Sequence, residues 1–339
     1  MSPVYINGMG NISPQKSFAT DSFLEDVVET KGPKLTCLEP DYASWIDPKS
    51  IRRMSRIIRM GVASALLALK EASLKLPDAI ITGTGYGCLE DTGIFLSKMI
   101  VNQEQSLNPT PFIQSTHNSI GSQIGMLLQC FGYNQTYVQG AFSLENSLLD
   151  AQMMLDEKKD QNVLVGGVDE ITEISHAILR RFGLFRQGAK QGEGSAYFLL
   201  SAREKENSYA KIKGVAMLYD HQSAIEIKLE IIKFLDDQNL KPNEVDMILL
   251  GASGDARFDK IGKAVTQDLW GRSVIGSYKQ LCGEYPTSTG FAIWLGASIL
   301  KKQQVPHVVA PGASTSIKNI LIYNPYFGKN HSLILMQAC

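Results

Sequence analysis

IRRMSRIIRMGVASALLALKEASLKLPDAIITGTGYG, residues 51–87, is the stretch that sets the architecture. Met54, Ile58, Val62, Leu66 and Leu69 recur in it at the three-to-four spacing of an amphipathic helix. AIIT at 79–82 is a short continuous apolar run, the mark of a strand buried on both faces. Gly83-Thr84-Gly85-Tyr86-Gly87 then stops it. A helix, a buried strand and a glycine turn in succession point to an α/β protein.

The same alternation extends in both directions. Strands are expected at 4–7, 137–138, 163–165 and 196–200, and helices at 119–128 and 143–155, with a loop at 108–111. The order then begins again, with strands at 211–217, 247–250, 274–277 and 332–336 and helices at 224–235, 261–269 and 289–300. Two similar βα halves are therefore expected, divided as 1–208 and 209–339.

Composition bounds the function. The 339 residues are 44% hydrophobic and 20% charged with a formal net charge of −1, ordinary values for a globular protein with a substantial core. Near-neutrality gives no long-range pull toward nucleic acid or an anionic membrane. Arg52, Arg53, Arg56 and Arg59 cluster at helical spacing and read as a solvated face. Cys37, Cys88, Cys130, Cys282 and Cys339 lie far apart and suit reduced thiols in a cytosolic protein. No histidines pair at metal-ligand spacing, and no metal or cofactor is expected. The opening MSPVYINGMG has no basic segment before an apolar stretch, so no secretory leader is expected. No apolar run is long enough to span a bilayer, and a cytoplasmic location is expected.

Eight segments, in chain order, resemble the β-ketoacyl-acyl-carrier-protein synthases of the thiolase superfamily. They are VYINGMGNISP (4–14), SIRRMSRIIRMGVASALLALKEA (50–72), IITGTGYG (80–87), NPTPFIQSTHNSIGSQIG (108–125), VLVGGVDE (163–170), GEGSAYFLL (192–200), SYKQLCGEYPTSTG (277–290) and YFGKNHSLILM (326–336). The resemblance implies a thiolase-like α/β fold, two similar halves in a layered αβαβα arrangement. It also implies chemistry. A cysteine at the head of a buried helix takes an acyl group from a carrier thioester. Two histidines then steady the enolate formed as carbon dioxide leaves.

This chain departs from that pattern at every catalytic position. The resemblance places Ala141 where the cysteine belongs, within VQGAFS at 138–143, with a register uncertain by two residues. Gly251, in LGASGD, stands for the first histidine and Glu284 for the second, while Lys279 is kept. Loss of one oxyanion donor costs about 2.7–4 kcal/mol of transition-state stabilisation. An ionised Glu284 would repel the charge it ought to hold. Lys279 and Glu284 are expected to form a partly buried ion pair. Gln139, Ser143, Phe327 and Asn330 fall at substrate-binding positions. Chain-length factors resemble ketosynthases with glutamine in place of the cysteine, a role open to Gln139 if the register shifts. Ser143 reads either as a substitute nucleophile or as a helix N-cap. Asp255 and Asp259 read as a turn residue and a cap, and the gate near the C-terminus is shortened to 326–329.

The expectation is a non-catalytic, chain-length-factor-like subunit that pairs with an active ketosynthase in fatty acid or polyketide assembly on acyl carrier protein. The segment around 137–145 also resembles ketosynthase-like proteins of polyene pigment pathways. Two alternatives stay open: an acyltransferase or decarboxylase using Ser143, Lys279 and Glu284, and an acyl-binding homodimer.

Overall fold

The computed structural model describes residues 2–18, 23–221, 223–267, 270, 273–313 and 316–339. The first series of elements is β1 (Val4–Ile12), α1 (Arg56–Glu71), β2 (Ala79–Gly83), α2 (Leu89–Val101), α3 (Pro109–Gln114), α4 (Ser119–Leu128), β3 (Tyr133–Tyr137), α5 (Ser143–Glu157), β4 (Asn162–Asp169), α6 (Glu173–Arg181) and β5 (Gly194–Ser201). The second is β6 (Ala210–Tyr219), α7 (Ala224–Asp237), β7 (Met247–Leu250), α8 (Ala256–Thr266), β8 (Val274–Ser277), α9 (Thr289–Lys302), β9 (Asn319–Tyr326) and β10 (Asn330–Gln337).

Strand order repeats between the two series. The sheet runs β8-β7-β9-β10-β6-β1-β5-β4-β2-β3. Outward from the β6–β1 junction, each side has two antiparallel pairings followed by two parallel ones. The sides join only over Val4, Tyr5 and Ile6, antiparallel to Ile212, Lys211 and Ala210.

Burial shows how the sides stack. Strand residues alternate between faces: Ala79, Ile81, Val163 and Val165 join one core, while Ile80, Leu164 and Val168 join another with α1 and α4. In the second series Met247, Leu249, Ile320 and Ile322 enter the first core, whereas Ile248, Leu250, Leu321 and Tyr323 face α7 and α8. The shared core contains Leu144, Leu148, Ala151 and Leu155 of α5 and nearly all of α9 from Phe291 to Leu300. Those two helices lie between the two half-sheets, giving the five-layered αβαβα arrangement. Because both faces of the central strands are covered, their sequences read as unbroken apolar runs. Gly8 and Gly10 let β1 approach α1 closely, since a Cβ on either would collide with the carbonyl oxygen of Ala68 or Ser64.

Four expectations need correction. The loop expected at 108–111 is largely the start of α3, capped by Asn108, whose side chain accepts from the Thr110 N–H at 3.0 Å. The strand expected at 137–138 lies earlier, at Tyr133–Tyr137. It is the last strand of the sheet and its first residues are exposed, so polar Asn134 and Gln135 are tolerated there. The helix expected at 261–269 begins at Ala256 because Asp255 caps it, accepting from the Arg257 backbone N–H at 3.0 Å; Leu269 lies outside the described residues. The arginine cluster is not a uniformly solvated face. Arg56 turns inward to Glu39 and the fully buried Glu193, and Arg59 lies 5.8 Å from the Tyr42 ring centroid, while Arg52 and Arg53 stay exposed.

Candidate functional site

The strand ends and helix starts of the inner layers meet in one buried region. Between β3 and α5 the chain makes a single 3₁₀ turn, Gly140–Phe142, with Gly140 in the left-handed region at φ +57°. Ala141 is buried in that turn, which packs against β10, and Gln139 is exposed just before it. Ser143 is not the N-cap, which falls at Phe142. Its buried hydroxyl accepts from the Gln139 N–H at 2.9 Å and faces the carbonyl oxygens of Thr84 (2.9 Å) and Gly140 (2.8 Å). A hydroxyl so occupied has no base beside it and braces the turn.

Asp169, at the end of β4, fixes the glycine turn that follows β2. It accepts from the backbone N–H groups of Gly85 (2.8 Å) and Tyr86 (3.2 Å), the hydroxyls of Thr84 (3.2 Å) and Thr287 (2.8 Å), and the Thr287 N–H (3.1 Å). Burial pushes its pKa up to about 6, against the pull of these donors.

Lys279 and Glu284 occupy the centre. The ammonium lies 2.7 Å from Glu284 Oε2 and both side chains are fully buried, not partly as the sequence led us to expect. Burial raises Glu284 to about 7, with the Lys279 charge pulling the other way. Its second oxygen has no hydrogen-bond partner among the described residues, nor has either side-chain amide atom of Asn324. Beside the pair, side-chain ends crowd Gly251 and would have to shift to admit a side chain. A Cβ there would sit 2.6 Å from Asn324 Oδ1, 2.8 Å from the Tyr278 hydroxyl and 3.1 Å from Lys279 Cε. From α5, fully buried Glu145 accepts from the Ser332 hydroxyl at 2.8 Å. Burial lifts it to about 7, offset in part by its hydrogen bonds and by Lys279.

Aromatic rings roof this cluster. Lys279 Nζ lies 5.8 Å from the Tyr326 ring, and Tyr326 packs on Phe327 at 4.4 Å. Phe327 in turn meets Phe258 (5.3 Å) and Phe185 (5.7 Å). The β9–β10 turn is a tight three-residue connection, Phe327 to Lys329, with Phe327 at φ +47° and Gly328 at φ +66°, and the Lys329 N–H donates to the Tyr326 carbonyl at 3.2 Å. Asn330 opens β10 opposite Tyr219 and Tyr326.

The structure thus brings Gly251, Lys279 and Glu284 together and sets Phe327 above them. Ala141, Gln139 and Ser143 belong to the turn before α5, and Asn330 lies past the roof. Cys282 is buried and held protonated by desolvation. Asp255 caps α8 and Asp259 shapes the preceding turn, accepting from Ser253 and Gly254 N–H at 2.7 and 2.8 Å. Sequence reasoning missed Glu145, Asp169, Tyr278 and Asn324. Only Asp169, charged at the carboxyl end of a buried strand, carried a signal. The histidines with side-chain hydrogen bonds, His176, His221 and His331, bond Gln191, Tyr323 and backbone carbonyls, not a serine, threonine or cysteine. Among the described residues no group of acids, histidines and cysteines is placed to hold a metal, and no helix is long and apolar enough to cross a membrane.

Five layers with this repeated strand order define a thiolase-like α/β protein. The known structures agree. The ishigamide ketosynthase/chain length factor superposes with a TM-score of 0.81 at 18% identity, over 100% of this chain and 99% of the other. A β-ketoacyl synthase from Burkholderia phymatum STM815 gives 0.80 at 17%, over 100% of both chains. A ketosynthase in complex with its chain length factor from Xenorhabdus doucetiae gives 0.80 at 16%, over 100% and 98%. At such identities the likeness establishes the fold. No curated protein matches the sequence. Residues 32–181 match the family model of the β-ketoacyl synthase N-terminal domain.

Two outcomes follow for the buried charges. Lys279→Met strands a carboxylate and costs about 3–5 kcal/mol in urea unfolding at neutral pH, whereas adding Glu284→Leu recovers most of it; equal losses in both variants would contradict the pair. Glu145 and Glu284, raised toward 7, bind protons more tightly folded than unfolded, so their contribution to stability is present in acid and lost as pH rises through 7. Glu145→Gln should flatten that decline between pH 5.5 and pH 8, read from unfolding midpoints.

Proposed function

We propose that this chain is a non-catalytic subunit, similar in role to a chain-length factor, which pairs with a cysteine-bearing ketosynthase in fatty acid or polyketide assembly on acyl carrier protein. A polyene pigment pathway is the narrower setting we favour, and the cytoplasm the compartment. We take 1–208 and 209–339 as its two halves and Ala141, Gly251 and Glu284 as the positions matching the family's cysteine and histidines.

The observation that carries the reading is the buried cluster at the centre. Where family chemistry needs donors and a nucleophile, this chain has a methyl group, a hydrogen and a carboxylate already bound to Lys279. Ser143 is committed to backbone groups, which weighs against an acyltransferase or decarboxylase built on it. The edge of the sheet supports pairing. Among the described residues β3 has no neighbour on its outer side, and around it Phe131 is 88% exposed and Val138 41% exposed. Ile100, Val101, Phe112, Ile113 and Met126 are further exposed apolar side chains on α2, α3 and α4. An unpaired edge and a run of apolar surface call for a protein partner.

Co-expression with an intact ketosynthase should yield a 1:1 heterodimer whose product length differs from that of the ketosynthase alone. Phe131→Glu with Val138→Lys should abolish pairing while leaving the thermal midpoint of the isolated chain unchanged. Recovery only as a homodimer, indifferent to any ketosynthase, would reject this role. Ala141→Cys, Gly251→His and Glu284→His together should still give no condensation, because an imidazole at 251 would meet Asn324, Tyr278 and Lys279; measurable turnover in a malonyl-carrier assay would contradict that crowding.

A further inference from the structure

An open strand edge invites a second copy of the same chain as readily as a different protein, so pairing through β3 needs a device that tells the two apart. The side chains of β3 alternate between faces. Asn134 turns to α4 and donates to the Gly121 carbonyl at 2.9 Å, while Tyr133 turns to α5 and its hydroxyl donates to Asp150 Oδ2 at 2.9 Å. Tyr137, two strand steps on and on the same face, lies near the same carboxylate. Burial first, and then Asp150, raise the pKa of both hydroxyls, that of Tyr133 to about 12. Asp150 therefore stands between the two rings, level with Gln135 in the middle of the strand. It is half-buried and forms no ion pair with a lysine, arginine or histidine among the described residues.

That place matters because of what a copy would bring. Ser147, Asp150, Met154 and Glu157 follow one another at three-to-four spacing, so they share one flank of α5, the flank that reaches the last strand of the sheet. β3 has five residues, Tyr133–Tyr137. A second β3 added across a two-fold axis runs antiparallel, with Tyr133 of each copy opposite Tyr137 of the other and the axis at Gln135. Packed helices lie roughly 8–10 Å apart, so α5 and its copy would meet on one face of the continued sheet. The axis then passes beside Asp150 and sets it against its own copy, two carboxylates with no cation between them. Phe131 and Val138, exposed around the strand, would exclude water from the same junction. Like charges brought together at a closing interface are a means of refusing a partner. A lysine or arginine opposite Asp150 removes the repulsion and adds a charge-assisted hydrogen bond.

We propose that Asp150 decides partner choice at this edge: it refuses a second copy of this chain and accepts a ketosynthase that presents a lysine or arginine across the axis. That the edge receives a ketosynthase rests on the proposed function. The refusal of self rests on the place of Asp150 between Tyr133 and Tyr137.

Charge-swap variants of the full chain, followed by sedimentation equilibrium, test the refusal of self with no ketosynthase present. Wild type and Asp150→Lys should each self-associate weakly. Asp150→Asn alone, and an equal mixture of wild type with Asp150→Lys, should associate about tenfold or more tightly than either. Added salt should strengthen self-association of wild type and weaken the mixed pair, because screening acts on repulsion and attraction alike. Phe131→Glu with Val138→Lys, introduced into Asp150→Asn, should return it to the monomer and so place the association at β3. Unaltered thermal midpoints show that the variants fold. Equal self-association of wild type and Asp150→Asn, or a mixed pair no tighter than its components, overturns the proposal. With a ketosynthase added, Asp150→Lys should pair about tenfold or more weakly than wild type. A ketosynthase that takes both alike overturns the selection and leaves the proposed function standing. The expected charge-swap behaviour without any ketosynthase pairing supports the refusal of self and counts against the proposed function.

Discussion

The two inner helices, α5 and α9, must be buried along nearly their whole length between the half-sheets, and that constraint fixes what the centre of the molecule can contain. Their first turns and the ends of β4, β7 and β9 meet in the same buried region. A charge placed there loses its hydration and has to be answered by groups within hydrogen-bonding reach. Asp169 is answered by five donors from the turn after β2 and the segment before α9. Glu145 has Ser332, and Glu284 has Lys279. Low dielectric is what lets a thiolase-like scaffold support enolate chemistry, since fixed dipoles act there at full strength. Here the same environment serves mutual neutralisation.

A buried ion pair is weak evidence of stabilisation, because desolvating two charges consumes much of what their attraction returns. Glu284 has one oxygen on Lys279 and leaves the other unpartnered among the described residues, so the pair is not an optimised stabilising device. Its consequence is geometric and electrostatic. On the proposed reading, a carboxylate replaces a ring nitrogen that would donate to a developing enolate, turning a donor into an acceptor. Lys279, which could have supplied compensating charge, is held by it. Gly251 adds a steric term, for Asn324, Tyr278 and Lys279 occupy the volume a side chain would need. On that reading nucleophile and donors are lost together, and the space beside them is crowded.

How much of this was legible in the sequence depended on whether burial left a local pattern. Strands covered on both faces, such as Ala79–Gly83 and Met247–Leu250, announce themselves as apolar runs. Tyr133–Tyr137 does not, because an edge strand can carry polar residues on its open side. α2 was also silent: of its residues only Asp91 is buried, so no apolar stripe faces a core. Lys279 and Glu284 could be paired from sequence because they are five residues apart across one turn. Glu145 with Ser332, or Gly251 with Asn324, are joined only by the stacking of layers, and no periodicity records that. Ser143 read as a cap from its place at a helix head, but the preceding 3₁₀ turn moved the cap back one residue.

Closure of the chamber belongs to the backbone as much as to the side chains. A bulky residue at positive φ is uncommon, glycine, asparagine and aspartate being the usual occupants of that region. Phe327 is held at φ +47° nevertheless, and its ring is what bridges Phe185, Phe258 and Tyr326 above Lys279. A longer loop could swing aside. This one is fixed by the Tyr326–Asn330 pairing of β9 with β10 and by the Asp220 N–H on the Lys329 carbonyl at 2.9 Å, so opening it means breaking ladder contacts on both sides. On the proposed reading, a roof tied to the strand ladder and a floor without catalytic groups make one another tolerable.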